Sequence, residues 1–186
     1  MDESIEKAVE TLKNGGNILY PTDTIWGLGC DATNDEACEK LINLKNRGAE
    51  KSFIVMMDSV QMLERYTTDF PDVCYDLIDT ATRPLTIIYP SVRMLCDHVK
   101  AADGSVGIRV TNDELCKKII RKFGKPIVST SANFSGEPSP TCFDDISEEL
   151  KEKMDYIVLE KLKNVCKTPS QVIKIGLDAS VKIIRK

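Results

Sequence analysis

The sequence predicts an α/β (α+β-like) protein, a mixed β-sheet with helices packed on it. Two observations predict this. Short apolar runs of strand length recur along the chain, and stretches of helical period lie between them without strict alternation. No repeat, linker or low-complexity tract interrupts the pattern. A chain of 186 residues can bury a sizeable core, so 1–186 reads as a single domain.

The elements follow in order. Ile5, Ala8, Val9 and Leu12 stand at helical spacing over residues 4–14, and Gly15-Gly16 ends that helix. Asn17 to Tyr20 reads as a short strand, and Pro21 stops its ladder. The following residues up to Gly29, in the run YPTDTIWGLG, read as a strand-end loop. Asn34 can cap a second helix, with Asp35 and Glu36 in its first turn and Leu41, Ile42 and Leu44 facing inward. Phe53 to Met57 is a buried strand by its continuous apolar run. Residues 59–66 and 71–81 read as helices, the second with Pro71 in its first turn. Leu85 to Tyr89 and Val106 to Val110 are strands, and Asn112 or Asp113 starts the next helix. Pro126 to Val128 is a strand that runs into a Ser/Thr-rich loop. Ile146 to Met154 reads as a polar helix, followed by three short strands near 156–159, 171–175 and 181–184.

Composition excludes several classes. Hydrophobic residues make up 42% and charged residues 29%, ordinary for a globular protein. No run of about 18 apolar residues exists, so no membrane span is expected. The acidic, helical start MDESIEKAVE lacks an export-signal layout, and a cytoplasmic location follows. Seven cysteines without a CxxC pair read as reduced thiols, with no disulfide framework and no zinc site. Cys38 and Cys116 fall in helical patterns, as small apolar residues do. The net charge of −4 argues against a whole-protein electrostatic nucleic-acid binder. Lys117, Lys118, Arg121, Lys122 and Lys125 still cluster on one helix and its exit. A solvated helix face is the favoured reading of that cluster, with weak tRNA or double-stranded RNA binding beside it.

Four places carry chemistry. The hydroxyls of Thr22 and Thr24 stand where a strand opens into a loop, a usual place for small ligands in α/β proteins. An ordinary turn rich in Thr and Gly is the alternative. Ser129 to Ser139 supplies five hydroxyls and an amide directly after a buried strand, as a polar ligand pocket would need and a solvated linker would not, with a Ser/Pro surface loop as the alternative. Lys45 and Arg47 are two apart, so they converge only if the helix ends between them, which Gly48 favours. Two converging cations, with Lys51 as a third, suit a triphosphate or a carboxylate, and a solvated basic loop is the alternative. In GIRV, alternation puts Gly107 and Arg109 on one strand face, opposite Ile108 and Val110. A charge inside a strand must reach solvent or an anionic partner. The only histidine, His98, lies outside all of these, so a Ser/His or Cys/His pair is not expected.

These segments resemble the YrdC/TsaC family of threonylcarbamoyl-AMP synthases. The matching stretches are YPTDTIWGLGCDATN (20–34), LKNRGAEKSFIVMM (44–57), RPLTIIYP (83–90), GSVGIRV (104–110) and VSTSANFSGEPSPT (128–141), with a weaker PSQVIKI (169–175). They occur in the family's order and span most of the chain. The resemblance implies a YrdC-type twisted mixed sheet flanked by helices around a deep electropositive cavity. It implies catalytic roles for Lys45, Arg47 and Arg109. Thr24, Arg109, Ala132 and Ser170 would bind threonine, with Arg109 on the carboxylate and Ala132 backing the pocket. Arg47, Lys51, Ser105, Ser131, Asn133, Ser139 and Arg185 would bind nucleotide. Departures are present. Met56 stands where many members have a histidine that contacts threonine, Lys174 where many have an acid, and Gln171 where they have a threonine. The family's WPGPLT reads ATRPLT here.

The implied reaction joins L-threonine, bicarbonate and ATP into threonylcarbamoyl-AMP and pyrophosphate, a nucleotidyl transfer with Mg2+ accompanying ATP. The product would pass to a separate tRNA threonylcarbamoyl transferase. Some relatives carry a further C-terminal domain, and this chain reads as the catalytic domain alone. The rival readings are a paralogue using another carbamoyl acceptor and an RNA-binding or ribosome-maturation factor. Aromatics at 6%, not interleaved with the basic cluster, give the last little support.

Overall fold

The computed structural model describes residues 2–45, 53–160 and 168–186. Its elements are α1 (Asp2–Lys13), β1 (Ile18–Tyr20), β2 (Gly27–Gly29), α2 (Asp35–Leu44), β3 (Ile54–Met57), α3 (Val60–Tyr66), α4 (Val73–Thr80), β4 (Leu85–Tyr89), β5 (Val106–Val110), α5 (Glu114–Phe123), β6 (Ile127–Ser131), α6 (Glu148–Glu152), β7 (Tyr156–Ile157), β8 (Gln171–Ile175) and β9 (Val181–Arg185). Among the described residues the strands form one mixed sheet in the order β7-β1-β2-β6-β3-β5-β4-β8-β9. The β1/β7, β3/β5 and β4/β8 pairs are parallel, and the other neighbours are antiparallel. The expected α/β class with a mixed sheet is what forms.

Caps set the helix starts where the sequence placed them. The Asn34 side chain accepts from the Ala37 N–H, and Asp113 accepts from Leu115 and Cys116. Gly124 closes α5 at φ +81°, a left-handed turn that glycine adopts without strain. Four expectations need correction. Gly27–Gly29 is a strand rather than loop, because β1 and β6 pair with it from both sides. The strand after Pro126 does not end at Val128. It runs on through Ser131, with Ser129 opposite Ile54 and Ser131 opposite Gly27. The polar helix shrinks to Glu148–Glu152, where Leu150 is its buried residue. Pro71 also lies just before α4, at the turn that precedes Val73.

Registry gives the sheet two unlike faces. Val55, Met57, Ile108, Val128 and Leu28 point one way, are at most 2% exposed, and join α1, α3 and α5 in the apolar core. Gly27, Ile54, Met56, Gly107, Arg109, Ser129 and Ser131 share the other face. A polar cavity there is the consequence of that pattern. Close strand packing needs a glycine at position 29, where an added Cβ would sit 2.7 Å from the Val128 carbonyl and 2.8 Å from the Tyr20 ring. Gly29→Ala is expected to destabilise the fold by roughly 2–3 kcal/mol, read from denaturant midpoints.

Candidate functional site

Arg109 is the centre of the polar face. β5 carries it inward, and it is 4% exposed. Its Nη1 donates to Thr24 Oγ1 at 2.9 Å, and its Nη2 lies 3.2 Å from Asp23 Oδ1. Met56, its register neighbour on β3, places Sδ 3.9 Å from Nη2. Arg109 Nε is buried with no hydrogen-bond partner among the described residues. The loop after β1 is built to present Thr24. Thr22 Oγ1 donates to the Ile25 carbonyl and accepts from the Thr24 N–H. Its hydrogen is therefore spent, so in the 2.9 Å contact between the two hydroxyls Thr24 donates. Thr24 Oγ1 is left to accept from Arg109.

A cavity of about 300 Å³ opens beside this group, lined by Thr24, Arg109, Ser131, Ser139, Ser170 and Arg185 together with Ile25, Gly27, Ile54, Ser129, Thr130 and Pro169. Two guanidiniums and the hydroxyl residues Thr24, Ser129, Ser131, Ser139 and Ser170 therefore border one space, with no carboxylate among its described lining. Arg185 reaches in from β9. Its Nε donates to the Ser170 carbonyl at 2.8 Å and its Nη2 to Ser170 Oγ at 3.2 Å, while Ser170 Oγ meets Thr86 Oγ1 at 2.8 Å. Burial, and then the charge of Arg109, pull the Arg185 pKa below its ordinary value. Two cations that disfavour each other across a cavity are stabilised by an anion placed between them.

Lys45 lies behind this wall. As the C-cap of α2 it is 2% exposed, and its Nζ bonds the Ser131 carbonyl, the Asn133 carbonyl at 2.7 Å and Asn133 Oδ1 at 3.4 Å. Its own carbonyl accepts from the Ser135 N–H at 3.0 Å. Ser131 Oγ donates to Asn133 Oδ1, and Asn133 Nδ2 donates to the Glu137 carbonyl at 2.6 Å. Lys45 and Asn133 thus shape the loop that carries Ser131 and Ser139 instead of lining the cavity themselves. Arg47 and Lys51, the other cations expected here, lie outside the described residues. Ala132, expected to back the pocket, is buried just after β6, its N–H bonds the Trp26 carbonyl at 3.0 Å, and it is not among the cavity's described lining. Ser105 is on the Gly107–Arg109 face but lines a second cavity of about 480 Å³, which shares Ile54 with the first. Its hydroxyl donates to Asp103 at 2.5 Å. Asp103 also pairs with Lys174 at 2.6 Å, and these bonds, Lys174 first, hold its carboxyl well below the usual range.

Sequence reasoning missed Asp23 and Thr86. Ser129, already counted among the hydroxyls of the 129–139 segment, reaches the cavity face by strand alternation along β6. No local signal marks Asp23 or Thr86, because each acts through a residue distant in sequence. The basic cluster on α5 is largely neutralised. Arg121 pairs with Asp58, Lys122 with Glu6 and Lys125 with Asp31. These are ion pairs of exposed cations, which contribute little to stability. His98 is exposed on a short 3-10 turn. No helix among the described residues is long and apolar enough to cross a membrane.

A family described as "Telomere recombination", Sua5_yciO_yrdC, matches residues 10–186. The chain belongs to the Sua5/YciO/YrdC family. It is 32% identical over 181 residues to the threonylcarbamoyl-AMP synthase of Pseudoalteromonas translucida, covering 96% of each chain. It is 34% identical over 170 residues to that of Hahella chejuensis, covering 90% of this chain and 91% of the relative. P. abyssi Sua5, solved in complex with L-threonine, superposes with a TM-score of 0.83 at 27% identity over 92% of this chain. The match spans half of that Sua5 chain. The Sua5/YciO/YrdC fold adds a shared architecture to the cavity geometry.

Proposed function

We propose that this chain is a threonylcarbamoyl-AMP synthase, a nucleotidyltransferase that makes threonylcarbamoyl-AMP and pyrophosphate from L-threonine, bicarbonate and ATP. The observation that carries the reading is the one cavity that Arg109 and Arg185 line together among hydroxyls, in a chain whose relatives at 30–35% identity carry that name over most or nearly all of its length. Arg109 takes the threonine carboxylate, with Thr24 contacting the amino acid while its oxygen steadies the guanidinium, and with Ser170 beside them. Ser131, Ser139 and Arg185 take the phosphates, with Arg47 and Lys51 as further cations and Ser105 toward the nucleoside. Lys45, Asn133 and Ala132 act as positioning residues that hold the loop.

The threonine amine captures bicarbonate as a carbamate, releasing water. A carbamate oxygen then attacks the α-phosphorus, and pyrophosphate leaves. Positioning and charge neutralisation are the demands of such a step, and a dedicated base is not among them. Magnesium would arrive on ATP. The described cavity lining supplies hydroxyls and guanidiniums, so phosphate oxygens and water are the natural ligands for that ion. The product would go to a tRNA threonylcarbamoyl transferase in the cytoplasm, and residues 1–186 act as one catalytic unit.

Pyrophosphate release from ATP and bicarbonate should depend on L-threonine. Release that no amino acid stimulates would overturn the proposal. Within the same assay, Arg185→Ala is expected to raise KM for ATP about tenfold, the effect of losing one charged hydrogen-bond partner. An unchanged KM would remove Arg185 from the nucleotide side.

A further inference from the structure

Three cysteines, Cys30 and Cys38 near one another and Cys96 distant in sequence, meet in the core at α2. Cys30 follows β2, Cys38 lies on α2, and Cys96 precedes the short 3-10 turn. Cys96 Sγ donates to Cys38 Sγ at 3.0 Å and Cys30 Sγ donates to it at 3.8 Å, while the Cys38 thiol points to the Asp31 carbonyl at 3.5 Å. The shorter distance leaves no room for another atom between the two sulfurs. The backbones beside that pair are already tied together. The Cys96 N–H donates to the Ala32 carbonyl at 3.0 Å, and the Asp97 N–H to Asp35 Oδ1 at 3.1 Å. The site chemistry uses none of these thiols.

We propose that Cys38 and Cys96 form a two-electron oxidation site, which a peroxide converts to an intramolecular disulfide. Cys96 has the residual exposure, 4% against 0% for Cys30 and Cys38, so it meets the oxidant first. Its sulfur attacks one peroxide oxygen, the O–O bond breaks, and the thiol proton leaves with the other oxygen as water. Cys38 sulfur then displaces hydroxide from the sulfenic acid, and its own proton leaves with that hydroxide as a second water. Two thiols lose two protons and two electrons, and one hydrogen peroxide takes them up to become two waters. The hydrogen bond with Cys38, then burial, push the Cys96 thiol well above its usual range, so this reaction is slow in the folded chain. The product ties α2 to the segment after β4.

The test uses the full chain treated with hydrogen peroxide, then denatured, alkylated and cleaved at acidic residues so that Cys30 and Cys38 separate. The expected result is a non-reduced peptide pair joining Cys38 to Cys96, lighter by two hydrogens than its parts and released by dithiothreitol. The thiol titre falls from seven to five. Cys38→Ser loses the linked pair, whereas Cys30→Ser keeps it, which guards against a variant that fails to fold. A titre that stays at seven, a titre that falls only to six because the partly exposed Cys142 is the thiol that overoxidises, or a linkage between any other two cysteines would overturn the proposal.

Discussion

Arg109→Ala is expected to lower kcat/KM for threonine at least a hundredfold, a loss of about 3 kcal/mol or more in binding a charged, desolvated partner. The guanidinium is 4% exposed, and its Nη1 and Nη2 already address Thr24 and Asp23. A ligand carboxylate would add a further charge-assisted bond in a place from which water is largely excluded. The loss should fall on threonine and spare ATP, so KM for ATP serves as the internal control. Arg109→Lys should recover only part of the activity, because an ammonium cannot hold Thr24, Asp23 and a carboxylate with one planar fork. Asp23 is partly exposed and can take water when its partner is removed. The variant should therefore stay folded, and its circular dichroism should match the parent. A kcat/KM for threonine within threefold of the parent would remove Arg109 from the site.

Lys45→Met is expected to be costly in a different way. The ammonium is 2% exposed and bonds the carbonyls of Ser131 and Asn133. Methionine fills similar space but leaves those two part-buried acceptors without their charged donor, at about 3 kcal/mol for the pair. For a chain of this size that corresponds to a fall of roughly 6–12 °C in Tm. The Ser131–Ser139 loop would lose its anchor, and a displacement of even 1 Å there can cost about a hundredfold in rate. Stability and activity should therefore fall together, whereas Arg109→Ala should separate them. A Lys45→Met chain that melts normally but is inactive would instead place the lysine on substrate.

The contrast between these two cations shows how much was legible in the sequence. Arg109 could be read, because strand alternation with Gly107 fixed its face and a buried charge demands a partner. Thr24, Ser131, Ser139, Ser170 and Arg185 were likewise expected near one another, and they line one cavity. Asn34 and Asp113 announced their helices because a short polar side chain before an apolar period has one main use, capping. Lys45 was legible as a site residue but not in its manner of acting. Its bonds are to main-chain carbonyls far along the chain, and a carbonyl leaves no trace in a sequence. β2 was missed because Gly-Leu-Gly has no strand preference of its own, and its strand exists through the pairing of β1 and β6 on either side. The Asp23–Arg109 pair and the Cys30–Cys38–Cys96 cluster were hidden for the same reason, since only tertiary packing creates them.

The most direct measurement is the mass of the nucleotide product when the protein is incubated with ATP, magnesium, L-threonine and carbon-13 bicarbonate. The expected product is threonylcarbamoyl-AMP carrying one labelled carbon, absent when threonine is omitted and lost in Arg109→Ala. Pyrophosphate release with an unlabelled adduct, such as a simple aminoacyl adenylate, or with AMP alone, would contradict the proposed carbamate route.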